Sequence, residues 1–210
     1  MYKIVLLGPP GSGKGTQAKF LAKELNIPAI STGQIFRDAI KAQSELGKQV
    51  QERMDAGILI DDELTNKIVT ERLKQSDVAN GYILDGYPRG ITQAEFLGKL
   101  DDVTIALNVD SSDEIITERI AARRTCRECS TNFNILFKPT KVENICDKCN
   151  GELYIRADSK PEAIKKRLVM YHDAANPILE YYKDKGVLIN IDGEPSIDDV
   201  WSEIQNKLKI

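Results

Sequence analysis

No apolar run in this 210-residue chain approaches the roughly 20 residues that a bilayer-spanning helix needs, so the helical membrane class is excluded. Charge of one sign is also missing. The 29 basic and 32 acidic residues leave a net charge of −3 and a pI near 5.4, which excludes a broad polyanion-binding surface but leaves room for a local basic pocket. Histidine is nearly absent: the one copy, His172, lies on a predicted helix with no cysteine or carboxylate cluster beside it in sequence, and reads as structural or exposed. Aromatic residues are scarce at 6%, and the one tryptophan, Trp201, reads as a packing residue. With 41% hydrophobic and 29% charged residues the composition is still that of an ordinary folded domain, and the length suffices for a core without staples. The apolar stretch Ile4–Leu7 is too short for an export signal, so a cytosolic location is expected. Cysteine is absent except for four copies between Cys126 and Cys149.

The chain alternates strand-like and helix-like segments. Lys3 to Leu7 is a short apolar strand, Gly8-Pro9-Pro10-Gly11 a turn, and Thr16 to Leu25 a helix with Ala18, Leu21, Ala22 and Leu25 at helical spacing. Ser31 or Thr32 can cap a helix from about Gln34, and a further helix spans Leu46 to Asp55 before Gly57. Asp61, Asp62 and Glu63 suit the first turn of a helix that reaches about Lys74. Gly81 to Leu84 is a buried-looking strand ending in Asp85. A helix over 92–100, a strand over 103–109 and a helix over 112–123 follow. The stretch 122–160 differs in kind, with all the cysteines and little helical periodicity, and reads as an insertion. Pro161 suits the first turn of a long helix, Pro177 opens another ending at Gly186, Val187–Ile191 is the last strand and Ile197–Leu208 the last helix. This alternation predicts an α/β fold, a parallel sheet covered by helices on both faces.

Gly8 to Lys14 fits the front of the phosphate-loop pattern, with Gly8, Gly13 and Lys14 at the required spacing. The Ser or Thr expected directly after the lysine is Gly15, and Thr16 follows one place later. Glycines let backbone N–H groups converge on phosphate oxygens, the helix N-terminus adds its positive end, and Lys14 adds a cation. A plain glycine-requiring turn is the alternative. Asp85, at a strand end, is placed to act near the magnesium of a bound nucleotide, or else to cap a turn with Gly86. Cys126-x2-Cys129 and Cys146-x2-Cys149, sixteen residues apart, have the spacing of a four-thiolate structural zinc site, with disulfides as the rival reading. A regulatory GTPase would need an N-K-x-D string, and neither Asn66-Lys67-Ile68-Val69 nor Asn206-Lys207-Leu208-Lys209 supplies one. A zinc-ribbon nucleic-acid module is a third class, disfavoured by the acidic chain and by the position of the cysteines inside a phosphate-loop core.

Together these strings resemble the adenylate kinases over nearly the whole chain. Gly8 to Gln17 resembles the family's GxPGxGKGTQ loop, including the glycine between lysine and threonine. Ser31 to Arg37 is similar to its STGxxxR segment, Met54 to Glu63 to MDxGxLxxDE, and Asp85 to Arg89 with Gln93 to DGFPRxxxQ. Tyr181-Tyr182 fits its C-terminal helix. Gln34, Gly90, Ala122 and Ser159 depart from commoner family choices.

The resemblance implies a phosphate-loop NTPase-type core (1–30, 61–121 and 161–210), a nucleoside-monophosphate-binding insertion (31–60) and a zinc-binding lid (122–160). It implies ATP and AMP in equilibrium with two ADP, with magnesium accompanying ATP, no nucleic-acid or membrane partner, and a monomer as the default. Gly11, Ser12, Gly13, Lys14, Gly15 and Thr16 would hold the donor phosphates. Thr32, Arg37, the backbone of Ile58, Leu59 and Ile60, Gly86, Tyr87, Pro88, Arg89 and Gln93 would hold AMP, with Gln93 reading adenine. Arg119, Arg123, Asn132, Phe133 and Pro195 would serve the ATP side, Arg156 and Arg167 would bridge phosphates, and Asp158 joins Lys14, Asp85 and the arginines in the catalytic set. A related kinase with a pyrimidine monophosphate acceptor is the nearest rival.

Overall fold

A computed structural model describes residues 1–210. In chain order the elements are β1 (Tyr2–Leu7), α1 (Lys14–Leu25), β2 (Ala29–Ser31), α2 (Thr32–Lys41), α3 (Glu45–Asp55), α4 (Asp62–Leu73), β3 (Gly81–Asp85) and α5 (Ile91–Leu100). Then come β4 (Ile105–Asp110), α6 (Asp113–Ala121), β5 (Arg123–Cys126), β6 (Asn132–Asn134), β7 (Leu153–Tyr154), α7 (Pro161–Asp184), β8 (Leu188–Asp192) and α8 (Ile197–Leu208).

Five strands form one parallel sheet in the order β2-β3-β1-β4-β8. Side chains alternate across a strand, so the continuous apolar runs of β1, β3 and β4 feed two cores. Val5, Leu7, Tyr82, Leu84 and Ala106 face Val69, Ala94, Leu97, Ile178 and Tyr182. Ile4, Leu6, Ile83, Leu107 and Val109 face Ala18 and Leu21 of α1 and Val200 and Ile204 of α8. Phe20 and Trp201 meet edge to face at 5.5 Å, in line with the packing role expected of Trp201. Helices α2 and α3 form an arm between β2 and α4 with its own small core of Phe36, Val50 and Ile60. A second arm, between α6 and α7, is the antiparallel sheet β6-β5-β7 around Cys126, Phe133, Cys146 and Leu153.

Three expectations are corrected. Pro177 opens no helix: α7 runs unbroken from Pro161 to Asp184. A proline inside a helix loses one hydrogen bond, and here burial of Ala175, Ile178 and Tyr182 on one face of the helix outweighs that loss. The helix expected over 112–123 stops at Ala121, and Arg123 lies on β5, paired opposite Asn134. The helix expected from about Gln34 begins at Thr32, with Ser31 as its cap residue.

Candidate active site

The C-terminal ends of β1, β2 and β3 open into a cavity of about 1040 Å³, the position where open α/β sheets hold ligands. Its floor is the loop between β1 and α1. Gly8 turns there at φ +124° against the Val109 carbonyl, where a Cβ would lie 2.1 Å from that oxygen. Gly13, at φ +100°, caps α1 without a side chain and leaves its N-terminal N–H groups open toward the cavity. Lys14 folds back over this loop, donating to the carbonyls of Gly8 (2.7 Å) and Pro9 (2.5 Å). Burial lowers its pKa to about 8, against the pull of Asp85. Asp85 ends β3 beside Leu6 of β1. A Cβ on Gly15 would approach the Asp85 carboxylate to 3.3 Å, so glycine in place of the usual Ser or Thr keeps that space open. Gly11, Ser12, Gly15 and Thr16 complete the floor.

Above the floor stand five guanidiniums, from Arg37, Arg89, Arg123, Arg156 and Arg167, brought together from both arms and from the core. Asp158 organises three of them. Arg167 donates to its carboxylate at 3.0 Å, Arg123 at 3.1 Å, and Arg156 also pairs with it. Burial would raise the Asp158 pKa, but the three guanidiniums outweigh it and hold the carboxyl at about 2. Ser159, one of the departures from the family pattern, accepts from Arg123 at 2.7 Å and 3.2 Å. Gln34, another, accepts from Arg37 at 2.9 Å and 3.3 Å. Arg89 donates to the Gly86 carbonyl at 2.7 Å. Burial, reinforced by Arg156, lowers Arg37 to about 10 and Arg123 to about 9; burial also lowers Arg167 to about 10 and shifts Arg89 downward. All remain cationic at neutral pH. With Lys14 these make six cations facing Asp85 and Asp158, and over the whole lining nine cations against four carboxylates leave an excess of five positive charges around one partly buried volume. Such an arrangement repels itself until a polyanion fills it.

The cavity has two ends. At one, Thr32 donates to the Gly86 carbonyl at 2.9 Å, and Ile58, Leu59, Ile60, Pro88 and Gln93 line the wall. Gln93 is 3% exposed; its carbonyl oxygen accepts the Arg89 N–H at 2.8 Å and its amide nitrogen donates to Asp62 at 2.7 Å. The Tyr87 side chain, expected here, points elsewhere: its fully buried ring belongs to the main core, its hydroxyl donates to Asn66 at 2.6 Å, and the residue does not line the cavity. Its aromatic character filled the core side of a turn whose two flanking residues face the cavity.

At the other end Arg119 donates to the carbonyls of Gly193 (2.6 Å) and Glu194 (2.8 Å), with the Phe137 ring 5.7 Å away. Asn132, Phe133 and Pro195 line the same end. Phe137 was not singled out from sequence, nor was Lys41, whose amine bridges the arms by donating at 3.1 Å to the carbonyls of both Arg127 and Glu128. Only the fold brings these partners together. His172 lies outside the cavity on an exposed face, 2.9 Å from Asp113.

The four cysteine sulfurs lie within 4.8 Å of one another, with Cys126 and Cys149 at 3.4 Å and Cys129 and Cys146 at 3.6 Å. These distances exceed a disulfide bond, and all four thiols are free. They approach the edge of about 3.8 Å for a tetrahedron with zinc–sulfur arms of about 2.3 Å. The set therefore fits a structural metal ion. The Thr131 hydroxyl lowers Cys129 to about 6, whereas Cys149, despite the lowering contact from the Gly151 backbone, is pushed up to about 12 by the adjoining sulfurs. Four such thiols cannot all ionise without a cation among them.

Residues 6–187 match the family model described as "Adenylate kinase". The chain belongs to the adenylate kinase family. It is 47% identical to an adenylate kinase of Caldanaerobacter subterraneus subsp. tengcongensis over 211 residues, covering 98% of this chain and 96% of that one. It is 49% identical to an adenylate kinase of Lachnospira eligens, covering 96% and 97%, and 45% identical to one of Caldicellulosiruptor saccharolyticus, covering 99% of each. As an adenylate kinase family member the chain is an enzyme, a phosphotransferase acting on nucleotides, and the GTPase and nucleic-acid-module readings fall away. No helix is long and apolar enough to cross a membrane.

Proposed function

We propose that the enzyme moves the terminal phosphoryl group of ATP to AMP, giving two ADP, with the acceptor at the Thr32–Gln93 end of the cavity and the donor at the Arg119–Pro195 end. The observation that carries this is one cavity with an excess of five positive charges and two differently lined ends. Gly11 to Thr16 would cradle the donor phosphates, and Arg119, Arg123, Asn132, Phe133 and Pro195 the rest of ATP. Thr32, Arg37, the backbone of Ile58 to Ile60, Gly86 to Arg89 and Gln93 would hold AMP, with Tyr87 contributing main chain alone. An AMP phosphate oxygen attacks the terminal phosphorus, the bond from that phosphorus to the bridging oxygen breaks, and ADP leaves on each side. The attacking atom is already anionic, so no general base is required. What the protein must supply is alignment and charge neutralisation, for which guanidinium forks on a rigid ring are suited. Arg123, Arg156 and Arg167 share the moving charge, while Asp158 holds them in place without touching the nucleotide.

The carboxylate of Asp85, beside the space at Gly15, is a hard-oxygen group that would help hold magnesium, which when bound neutralises phosphate charge, and Thr16 lines the same cavity. Cys126, Cys129, Cys146 and Cys149 would hold one structural zinc. The proposed boundaries are a core of 1–30, 61–121 and 161–210, an acceptor arm of 31–60 and a lid of 122–160, the two arms closing over the nucleotides to exclude water. A monomer is the default reading, and four free thiols suit a reducing cytoplasm, where the reaction would maintain adenine nucleotide balance. A coupled assay with ATP and each of AMP, GMP, CMP and UMP tests the reading. AMP is expected to be the preferred acceptor; preference for CMP or UMP would contradict it.

A further inference from the structure

We infer that Asp62 is a specificity-setting positioning residue: by fixing which way the Gln93 carboxamide faces, it makes the acceptor end select a 6-aminopurine over a 6-oxopurine. The inference rests on the reading that Gln93 meets the acceptor base.

A carboxamide has two N–H donors on one atom and two lone pairs on the other, and its two faces are nearly equal in shape, so only its neighbours decide its orientation. Here two neighbours agree. The Arg89 backbone N–H can only donate, and it meets Gln93 Oε1 at 2.8 Å. The Asp62 carboxylate can only accept, and it meets Gln93 Nε2 at 2.7 Å. Turning the amide over would set donor against donor at Arg89 and oxygen against anion at Asp62. The charged contact is the stronger of the two. Gln93 is 3% exposed, so water cannot readily replace a lost partner.

One N–H and one lone pair remain for a ligand. Adenine carries a donor at C6 beside ring-nitrogen acceptors, and a glutamine amide pairs with that edge in one orientation. Hypoxanthine carries an acceptor oxygen at C6, and its neighbouring N1–H donates, so the same amide must turn over to pair with it. Asp62, half-buried at the first turn of α4, does not line the cavity. It touches no nucleotide and acts through Gln93. Asp61 supplies the α4 cap by accepting from Leu64 at 3.1 Å, so replacing Asp62 leaves the helix start intact.

The test compares kcat/KM for AMP and for IMP at saturating ATP in wild type, Asp62→Ala, Asp62→Asn and Gln93→Ala. Asp62→Ala is expected to narrow the AMP-to-IMP preference about tenfold or more, the scale of one lost charged hydrogen bond, with the loss for AMP in KM and the KM for ATP unchanged. Asp62→Asn retains an acceptor oxygen and should fall between Asp62→Ala and wild type; it also serves if the alanine variant is unstable. If Gln93→Ala collapses the preference while both Asp62 variants keep the wild-type ratio, Gln93 reads the base unaided and the inference is overturned. If no variant, Gln93→Ala included, changes the ratio, the base is not read at Gln93, and both the inference and the reading beneath it fail.

Discussion

Asp158 carries no positive charge to a phosphate, yet the site depends on it. Its carboxylate is held at about 2, below the 3.8 of a free aspartate, by Arg167, Arg156 and Arg123 acting against its burial. A carboxyl depressed in the folded state adds stability that is full above about pH 4 and is lost as pH falls through 2; a shift of this size corresponds to about 2 kcal/mol. Asp158→Asn should therefore lower the urea midpoint at pH 7 and flatten the acid limb between pH 4 and 2. An unchanged acid limb would show that the three arginines do not depend on this carboxylate. Lys14 gives a second titration. Burial lowers it to about 8, so in the free enzyme the cation proposed to meet phosphate is lost above that pH. The pH profile of kcat/KM for ATP should fall above about pH 8, while kcat, measured with phosphates bound, holds to higher pH. A flat kcat/KM from pH 7 to 9.5 would contradict this. Lys14 was legible because Gly8, Gly13 and Lys14 form a local string. The Asp62 and Gln93 contact spans 31 positions, and only the packing of α4 beside α5 creates it.

Among the elements, α7 shows where local cues mislead. Pro161 and Pro177 are both credible helix starts by chemistry, and only the first is one, because Ala175, Ile178 and Tyr182 keep the second half of the helix against the core. The long apolar strands were legible for the opposite reason: β1, β3 and β4 are buried on both faces, so nearly every residue in them carries the signal. The lid is legible by its cysteines alone. Its strands have four, three and two residues, and its buried core is Cys126, Phe133, Cys146 and Leu153, too little to hold a fold without a staple. Stripping metal with a thiol reagent and chelator should abolish amide-exchange protection across 122–160 while the five-stranded sheet stays protected, with about one zinc released per chain. Full lid protection with all four thiols free would refute a structural metal.

Over the whole molecule, a net charge of −3 coexists with a cavity that holds an excess of five positive charges. Composition averages the two, and the parallel sheet separates them by carrying the phosphate loop, Asp85 and the roots of both arms to one edge. The arms meet where the Lys41 amine grips the carbonyls of Arg127 and Glu128, between two of the cysteines. That contact joins residues 86 and 87 positions apart, and no pattern within either arm announces it. The proposed closure around two nucleotides would have a definite chemical consequence: the phosphoryl group must pass to the acceptor and not to water. Phosphorus NMR of the enzyme with magnesium, ATP and AMP tests this directly. ATP and AMP are expected to disappear in equal amounts as two ADP form, with no inorganic phosphate released. Phosphate accumulating in step with ATP loss, or ADP formed equally fast without AMP, would contradict it.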